Sequence, residues 1–312
     1  MSAHASTRVI LAALIGNLLV ALTKFAAAVL TGSSAMFSEG IHSLVDTGNQ
    51  ILLLYGMHRA RRPADRQHPF GYGKEVYFWS FVVALLIFAL GAGISLYEGI
   101  HHVQHPTPLE RPVVNYVVLG LALVFEGFSW AVALHEFRRN KGRLGYFEAV
   151  HRGKDPTLFV VLFEDSAAMF GLLTALGGVA AAHLLQRPVF DGIASIVIGL
   201  ILGITAIWLA VETKGLLIGE SARAETVEQI RRMARKLSGV EDVNEVLTLH
   251  MGPDYVLLNV SLDFRDDLPA SEVEERIAEF ERLVRQRFPE IRRVFVEAES
   301  RLGRLKGRAR SR

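Results

Sequence analysis

Six long apolar stretches in the first two thirds of the chain restrict its fold more than any other feature. They run Arg8–Leu30, Ala35–Met57, Val76–Ile100, Val113–Phe137, Leu158–Leu185 and Phe190–Val211. A helix needs about 20 mostly apolar residues to cross the hydrocarbon core of a bilayer, and each stretch reaches that length. In lipid the backbone must satisfy its own N–H and C=O groups, which a helix does. A soluble helical bundle would need polar stripes that these segments lack. The first stretch has a longer apolar run than a cleaved signal peptide and reads as a retained helix. Composition agrees, with 51% hydrophobic and only 21% charged residues and a mean hydropathy of +0.29, which argues against a disordered chain and an ordinary soluble enzyme. The absence of cysteine excludes disulfides, thiol nucleophiles, cysteine-type zinc fingers and iron–sulfur clusters.

Net charge is only +2, so placement of the basic residues matters more than their number. The link between the second and third stretches carries Arg59, Arg61, Arg62, Arg66 and Lys74. The link between the fourth and fifth carries Arg138, Arg139, Lys141, Arg143, Arg152 and Lys154. The opposite links are nearly free of basic charge. Positive loops stay cytoplasmic, so six spans place both termini in the cytoplasm. His101, His102 and His105 then fall on the other side, where they read as part of a solvated loop. With no transit peptide evident before the first helix, the expected location is a bacterial inner membrane.

Composition changes after Glu212. Ala224 to Leu237 has helical spacing, with Val227, Ile230, Met233, Ala234 and Leu237 on one side. Val243 to Met251 reads as a strand and Gly252-Pro253-Asp254 as a turn. Tyr255 to Phe264 alternates, with Val256, Leu258, Val260 and Leu262 on one face. Ser271 and Glu274 form a capping-box pattern opening a helix to about Phe288, and Arg293 to Ala298 reads as a third strand. The order α-β-β-α-β predicts a small ferredoxin-like, metallochaperone-like α/β sheet with helices on one face. The expected organisation is a membrane α-helical domain of six transmembrane helices over residues 1–212, a cytoplasmic α/β dimerisation domain over 213–300, and a basic, disordered tail over 301–312. That tail is either solvated or in contact with anionic lipid.

Ionisable residues inside a span are costly and usually face a cavity or a partner. The second stretch holds Ser38, Glu39, His42, Asp46 and Asn49. His42 and Asp46 are four apart and share one helix face. Imidazole nitrogen and carboxylate oxygen form a partial ligand set for Zn²⁺ or a similar cation. The fifth stretch holds Glu164 and Asp165, which point about 100° apart on a helix; either could complete a site with His42 and Asp46. Lys24 and Glu126 read as a structural ion pair, with each other or with Glu39.

Several segments resemble the cation diffusion facilitator family of divalent-metal transporters: SSAMFSEGIHSLVDTGNQ in the second stretch, HPFGYGKEVYFWS after it, and DGIASIVIGL with KGLLIGES around the sixth. FEDSAAMFG and LHMGPDY are similar to the branch containing the mitochondrial-type zinc transporter nine. The resemblance implies a homodimeric proton-coupled antiporter, with a divalent cation as substrate, zinc first and Mn²⁺ or Fe²⁺ as alternatives, no permanent cofactor, no enzymatic activity and no nucleic-acid partner. The family's transport site has ligand pairs four apart on helices two and five. His42 and Asp46 match the first pair. The second departs from the pattern, because neither Glu164 nor Asp165 has an acid or histidine four residues away. Asp165 is the favoured replacement and Glu164 the second. Asp65 and His68 match two ligands of a loop zinc site whose third position is Tyr72, so that site reads as degraded. His250, Glu297 and Glu299 are what the cytoplasmic domain offers toward a weak metal site. The missing helix-five pair also admits a metal-sensing or scaffold protein of the same fold that does not transport.

Overall fold

The computed structural model describes residues 3–109, 111–141, 145–151 and 153–300, with side chains from Asn17 onward except those of residues 140, 147, 151 and 158. The basic tail and two of the basic loop residues, Arg143 and Arg152, lie outside the described residues. The chain divides into two compact units, residues 1–58 with 76–214, and residues 59–75 with Gly215 onward.

The first unit is helical. Its elements are α1 (Ala3–Thr31), α2 (Ser34–Ala60), α3 (Glu75–Leu86), a π-helical segment (Ile87–Ala92), α4 (Gly93–Gln104), α5 (Pro112–Lys141), the short α6 (Tyr146–His151), α7 (Pro156–Leu184) and α8 (Val189–Ile218). Through the π-helical segment, α3 and α4 form one continuous helix, Glu75–Gln104. Four of the described helices are long and apolar enough to cross a membrane: Glu75–Gln104, Pro112–Arg139, Phe159–Leu184 and Val189–Ile218. α2 is long enough but too polar for that criterion, because it carries the buried Ser38, Glu39, His42, Asp46 and Asn49. In α1 the described apolar part is Asn17–Thr31.

Local chemistry sets the ends of these helices. Pro112 and Pro156 occupy first-turn positions, where the missing N–H costs nothing. Asp155 caps α7, accepting from the Thr157 backbone N–H at 3.0 Å. Gly32 takes φ +66°, which lets the chain reverse between α1 and α2 in two residues. On α5, Val113, Val117, Leu121, Val124, Phe128 and Val132 are exposed. Their spacing marks one apolar helix face, suited to lipid. His102 departs from the solvated-loop expectation: it lies within α4 and is only 5% exposed.

The second unit contains α9 (Ala224–Arg235), β1 (Val240–Gly252), β2 (Tyr255–Phe264), α10 (Ala270–Arg287) and β3 (Ile291–Ala298). The sheet order is β1-β2-β3. β1 and β2 are antiparallel, with Val246 opposite Val260; β2 and β3 are parallel, with Val260 opposite Val296. The β2 residues Val256, Leu258, Val260 and Leu262 are buried as their alternation requires, against Ile230 and Ala234 of α9 and Phe280 and Val284 of α10. Both outer strands begin a few residues earlier than expected: β1 pairs from Val240, and β3 from Ile291, which is itself buried in the core. The expected capping box does not form. Pro269 is the cap residue of α10 and no side chain caps it; the N–H groups of Glu272 and Val273 donate to its carbonyl instead.

The segment 59–75 packs in this second unit. A Cβ on Gly73 would come 2.3 Å from the Met251 carbonyl oxygen, so the two backbones touch where only glycine fits. Lys74 Nζ donates to the Leu217 carbonyl at 3.4 Å.

Candidate metal site

The polar face of α2 is built by helical spacing. Ser38, Glu39, His42, Asp46 and Asn49 recur every three or four residues and all are buried. His42 Nδ1 is 3.2 Å from Asp46 Oδ1. The contact is close without hydrogen-bond geometry, and both ring nitrogens of His42 and Asp46 Oδ1 lack hydrogen-bond partners. Buried polar atoms are rarely left so. A cation beside Asp46 would take the lone pair of one His42 ring nitrogen and the carboxylate oxygen, while the other ring nitrogen of a neutral imidazole keeps its proton.

α7 brings Glu164 to this face. Glu164 is 4% exposed, and its Oε1 accepts from Asn49 Nδ2 at 2.6 Å. Its carboxyl is also near enough to Asp46 to share a hydrogen bond when one of the two is protonated. Asp165, next in sequence, turns toward α5, where Ser129 Oγ donates to Oδ2 at 3.3 Å. The 100° step between adjacent helical residues accounts for this division. Asp46, Glu126, Glu164 and Asp165 nonetheless line one polar cleft with Ser43 and Ser129. Four carboxyls from α2, α5 and α7 therefore converge, with His42 behind Asp46. Among the described residues, no three of these side chains close into a ready coordination shell.

Beside the cleft, Lys24 of α1 is fully buried. Its Nζ is 2.7 Å from Ser43 Oγ, 3.1 Å from Glu39 Oε2 and 4.0 Å from Glu126 Oε1. The expected ion pair is thus a three-helix junction. Glu126 has a second role that the pairing argument missed, because it also lines the cleft. The signal was its place inside an apolar stretch.

The loop and sheet candidates are engaged otherwise. Asp65 Oδ1 accepts from the N–H groups of Gln67 and His68 at 2.9 and 2.7 Å. Tyr72 donates to Asp65 Oδ2 at 2.6 Å, and its ring lies tilted against the His68 ring at 4.2 Å. The Tyr72 hydrogen bond, reinforced by that from His68 N–H, holds the Asp65 carboxyl below its ordinary range, and the same hydrogen bond raises the Tyr72 phenol. These residues organise a turn. In the sheet, His250 lies apart from Glu297 and Glu299. His250 lies opposite Val256 and Glu297 opposite Ser261, positions separated along β2 by about 16 Å at strand rise. Glu297 accepts from Asn259, Glu299 accepts from Ser261, and the His250 ring faces the Gly252 carbonyl at 3.3 Å.

Comparison with known proteins decides the family. The cation efflux transmembrane domain matches residues 10–218, and the cation efflux protein cytoplasmic domain matches residues 222–301. The chain belongs to the cation efflux family. Among relatives of this cation efflux protein, the mitochondrial proton-coupled zinc antiporter SLC30A9 of Xenopus laevis is 35% identical over 260 residues, covering 82% of this chain and 46% of the relative. Metal tolerance protein C4 of Arabidopsis thaliana is 32% identical, covering 84% and 58%. The manganese efflux system protein MneP of Bacillus subtilis is 23% identical, covering 93% and 95%. The chain spans about half the length of the zinc antiporters and metal tolerance protein it matches. It is an integral membrane protein of this family, with apolar helices followed by a small α/β domain.

Proposed function

We propose that this cation efflux protein moves a divalent cation, zinc first, out of the cytoplasm in exchange for protons. The carrying observation is the intramembrane cleft, where carboxyls from three helices meet beside an imidazole with two unpaired nitrogens. His42, Asp46 and Glu164 are the ligands in this reading, and Asp165 and Glu126 line the way in. Ligands must shed protons to take a metal. Metal and protons are therefore alternative occupants of the same groups, and alternation between the two faces then yields exchange. The names of the zinc antiporters support zinc and proton coupling. The carboxylate-rich lining supports Mn²⁺ as a second substrate, since hard oxygen donors suit it, and MneP's name agrees.

Further parts of the reading are a homodimer joined through the cytoplasmic domain, six spans with both termini cytoplasmic, and a bacterial inner membrane. The test is zinc uptake into proteoliposomes with and without an imposed pH gradient, Mn²⁺ run in parallel. Gradient-dependent uptake lost in Asp46→Asn is expected. Uptake undiminished in both Asp46→Asn and His42→Ala would overturn the site.

A further inference from the structure

At the ends of the helices remote from the basic loops, one buried carboxylate joins separate parts of the membrane unit. Asp191, at the start of α8, is fully buried. Its Oδ1 accepts from Ser33 Oγ at 2.7 Å. Its Oδ2 accepts from the Ser34 N–H at 2.5 Å, the Ser34 hydroxyl at 3.1 Å and the Ala35 N–H at 3.3 Å. A side chain of α8 thus supplies the N-terminal cap of α2, the helix that carries His42 and Asp46. An anion there gains from the helix dipole as well as from the hydrogen bonds.

Asp191 has a second suitor. His102 of α4 is buried, its Nε2 has no hydrogen-bond partner, and that atom is 4.0 Å from Asp191 Oδ2. α4 and α8 are in backbone contact: a Cβ on Gly99 would come 2.7 Å from Ile196 N, and one on Gly192 3.0 Å from Val103 N. His102 and Asp191 therefore sit on one closely packed pair of helices, while Ser33 to Ala35 belong to the α1–α2 turn. That turn is tied to α5 by Thr31 Oγ1 donating to Asn115 at 2.8 Å. Just below, Ser38 of α2 and Ser195 of α8 are hydrogen-bonded, and Ser195 donates to the Ser95 carbonyl of α4 at 3.0 Å.

We infer that Asp191, His102 and the N-terminus of α2 form a proton-operated latch that closes the non-cytoplasmic side of the transport path. With His102 neutral, Asp191 Oδ2 holds α2 to α8. A proton taken up at the imidazole makes Nε2–H a charged donor, which draws Oδ2 from the Ser34 and Ala35 N–H groups toward its own helix pair. The cap on α2 is released, and the serine layer beneath can part. Among the described residues, the other groups around His102 do not duplicate this arrangement. The α1–α2 turn offers hydroxyls and N–H groups, α8 offers Asp191, and α4 adds Glu98 one turn earlier and the exposed His101 and His105, whose tilted rings lie 5.0 Å apart. Arg111 before α5 is exposed, and His183 at the end of α7 faces Tyr116. Acid on the outer face would thus favour opening toward that face, the direction that proton-driven efflux requires.

The inference rests on the proposed transport reading for its direction, but its test does not require flux. The chain has no cysteine, so a single Ser95→Cys reports water access to a fully buried position just below the latch. Labelling by a membrane-impermeant maleimide from the outer face of proteoliposomes is measured at about pH 7.5 and about pH 5.5, with exposed Gln104→Cys correcting for the reagent. Corrected labelling should quicken at least about fivefold in acid, and His102→Gln should abolish that response. Asp191→Asn, a weaker acceptor, should label fast at both pH values. Labelling that is flat with pH, or equally acid-sensitive in His102→Gln, overturns the latch. Zinc uptake in the same vesicles separates the two readings: uptake with flat labelling rejects the latch alone, and acid-sensitive, His102-dependent labelling without uptake of any ion supports the latch while rejecting transport.

Discussion

Asn49 donates from Nδ2 to Glu164 Oε1 across 2.6 Å, joining α2 to α7 through a contact closed to solvent. It fixes which of two adjacent carboxyls on α7 addresses the polar face of α2. Glu164 is presented to Asp46 and His42, while Asp165 is taken by Ser129. The amide also restrains a carboxyl that would otherwise be free to swing, the usual office of a residue behind a metal ligand.

Glu164→Gln should therefore weaken zinc binding more than Asp165→Asn. Asn49→Leu should cost roughly 10–100-fold in affinity while leaving every ligand in place. Zinc titration of the purified protein in detergent measures all three. Native affinity in Glu164→Gln would remove that residue from the site.

The Lys24 junction predicts a stability pattern. Lys24→Met leaves Glu39 buried beside no cation, which costs about 3–5 kcal/mol when a buried pair is broken. Both partners are almost wholly shielded from solvent. The double variant Lys24→Met, Glu39→Met should recover most of that loss, because two apolar side chains need no partner. Thermal unfolding of the four proteins in one detergent gives the cycle; a double variant no better than Lys24→Met alone would mean that the pair is not the source of the effect.

Close packing of α4 on α8 predicts intolerance at Gly99. A methyl there would lie 2.7 Å from Ile196 N and 2.8 Å from the Gly192 carbonyl oxygen, backbone atoms that cannot rotate away. Gly99→Ala should destabilise the membrane unit by about 1–3 kcal/mol, as overpacking does. Gly120→Ala, with nothing within 4 Å of the added carbon, is the matched control and should leave the melting temperature unchanged or higher.

The Asp65 turn predicts a pH response in the loop between α2 and α3. The folded-state carboxyl is held below its ordinary range, first by the Tyr72 hydroxyl and then by the His68 N–H. Its contribution to loop order is complete above the unfolded value of about 3.9 and is lost as the pH falls through the lower folded value. Tyr72→Phe removes the leading cause, so protection of the Gln67 and His68 amides from hydrogen exchange should disappear at a higher pH than in the native chain. An unchanged midpoint would show that the backbone donors alone set the turn.

Segment-level features were legible without coordinates. Length and apolarity marked the long helices, and period-two alternation marked Val256 to Leu262 as the buried face of β2. The four-residue spacing of His42 and Asp46 placed them together, because helical periodicity is a local property. The expected capping box failed on equally local grounds: Pro269, two residues before Ser271, took the cap position and its carbonyl satisfied the first N–H groups.

Distances between segments were decided by tertiary structure. Rotation of α7 about its axis chose Glu164 over Asp165 for contact with α2, a choice that two neighbouring acids in a sequence do not express. Packing of α1 against α2 and α5 brought Lys24 to both Glu39 and Glu126, and the approach of α4 to α8 placed the buried His102 beside Asp191. Sheet register separated His250 from Glu297 and Glu299, candidates that the family resemblance had brought forward. A residue's own helix or strand is written in its neighbours along the chain. Its partners across the fold depend on how rigid elements rotate and pack against one another, and many rotations satisfy the same apolar pattern.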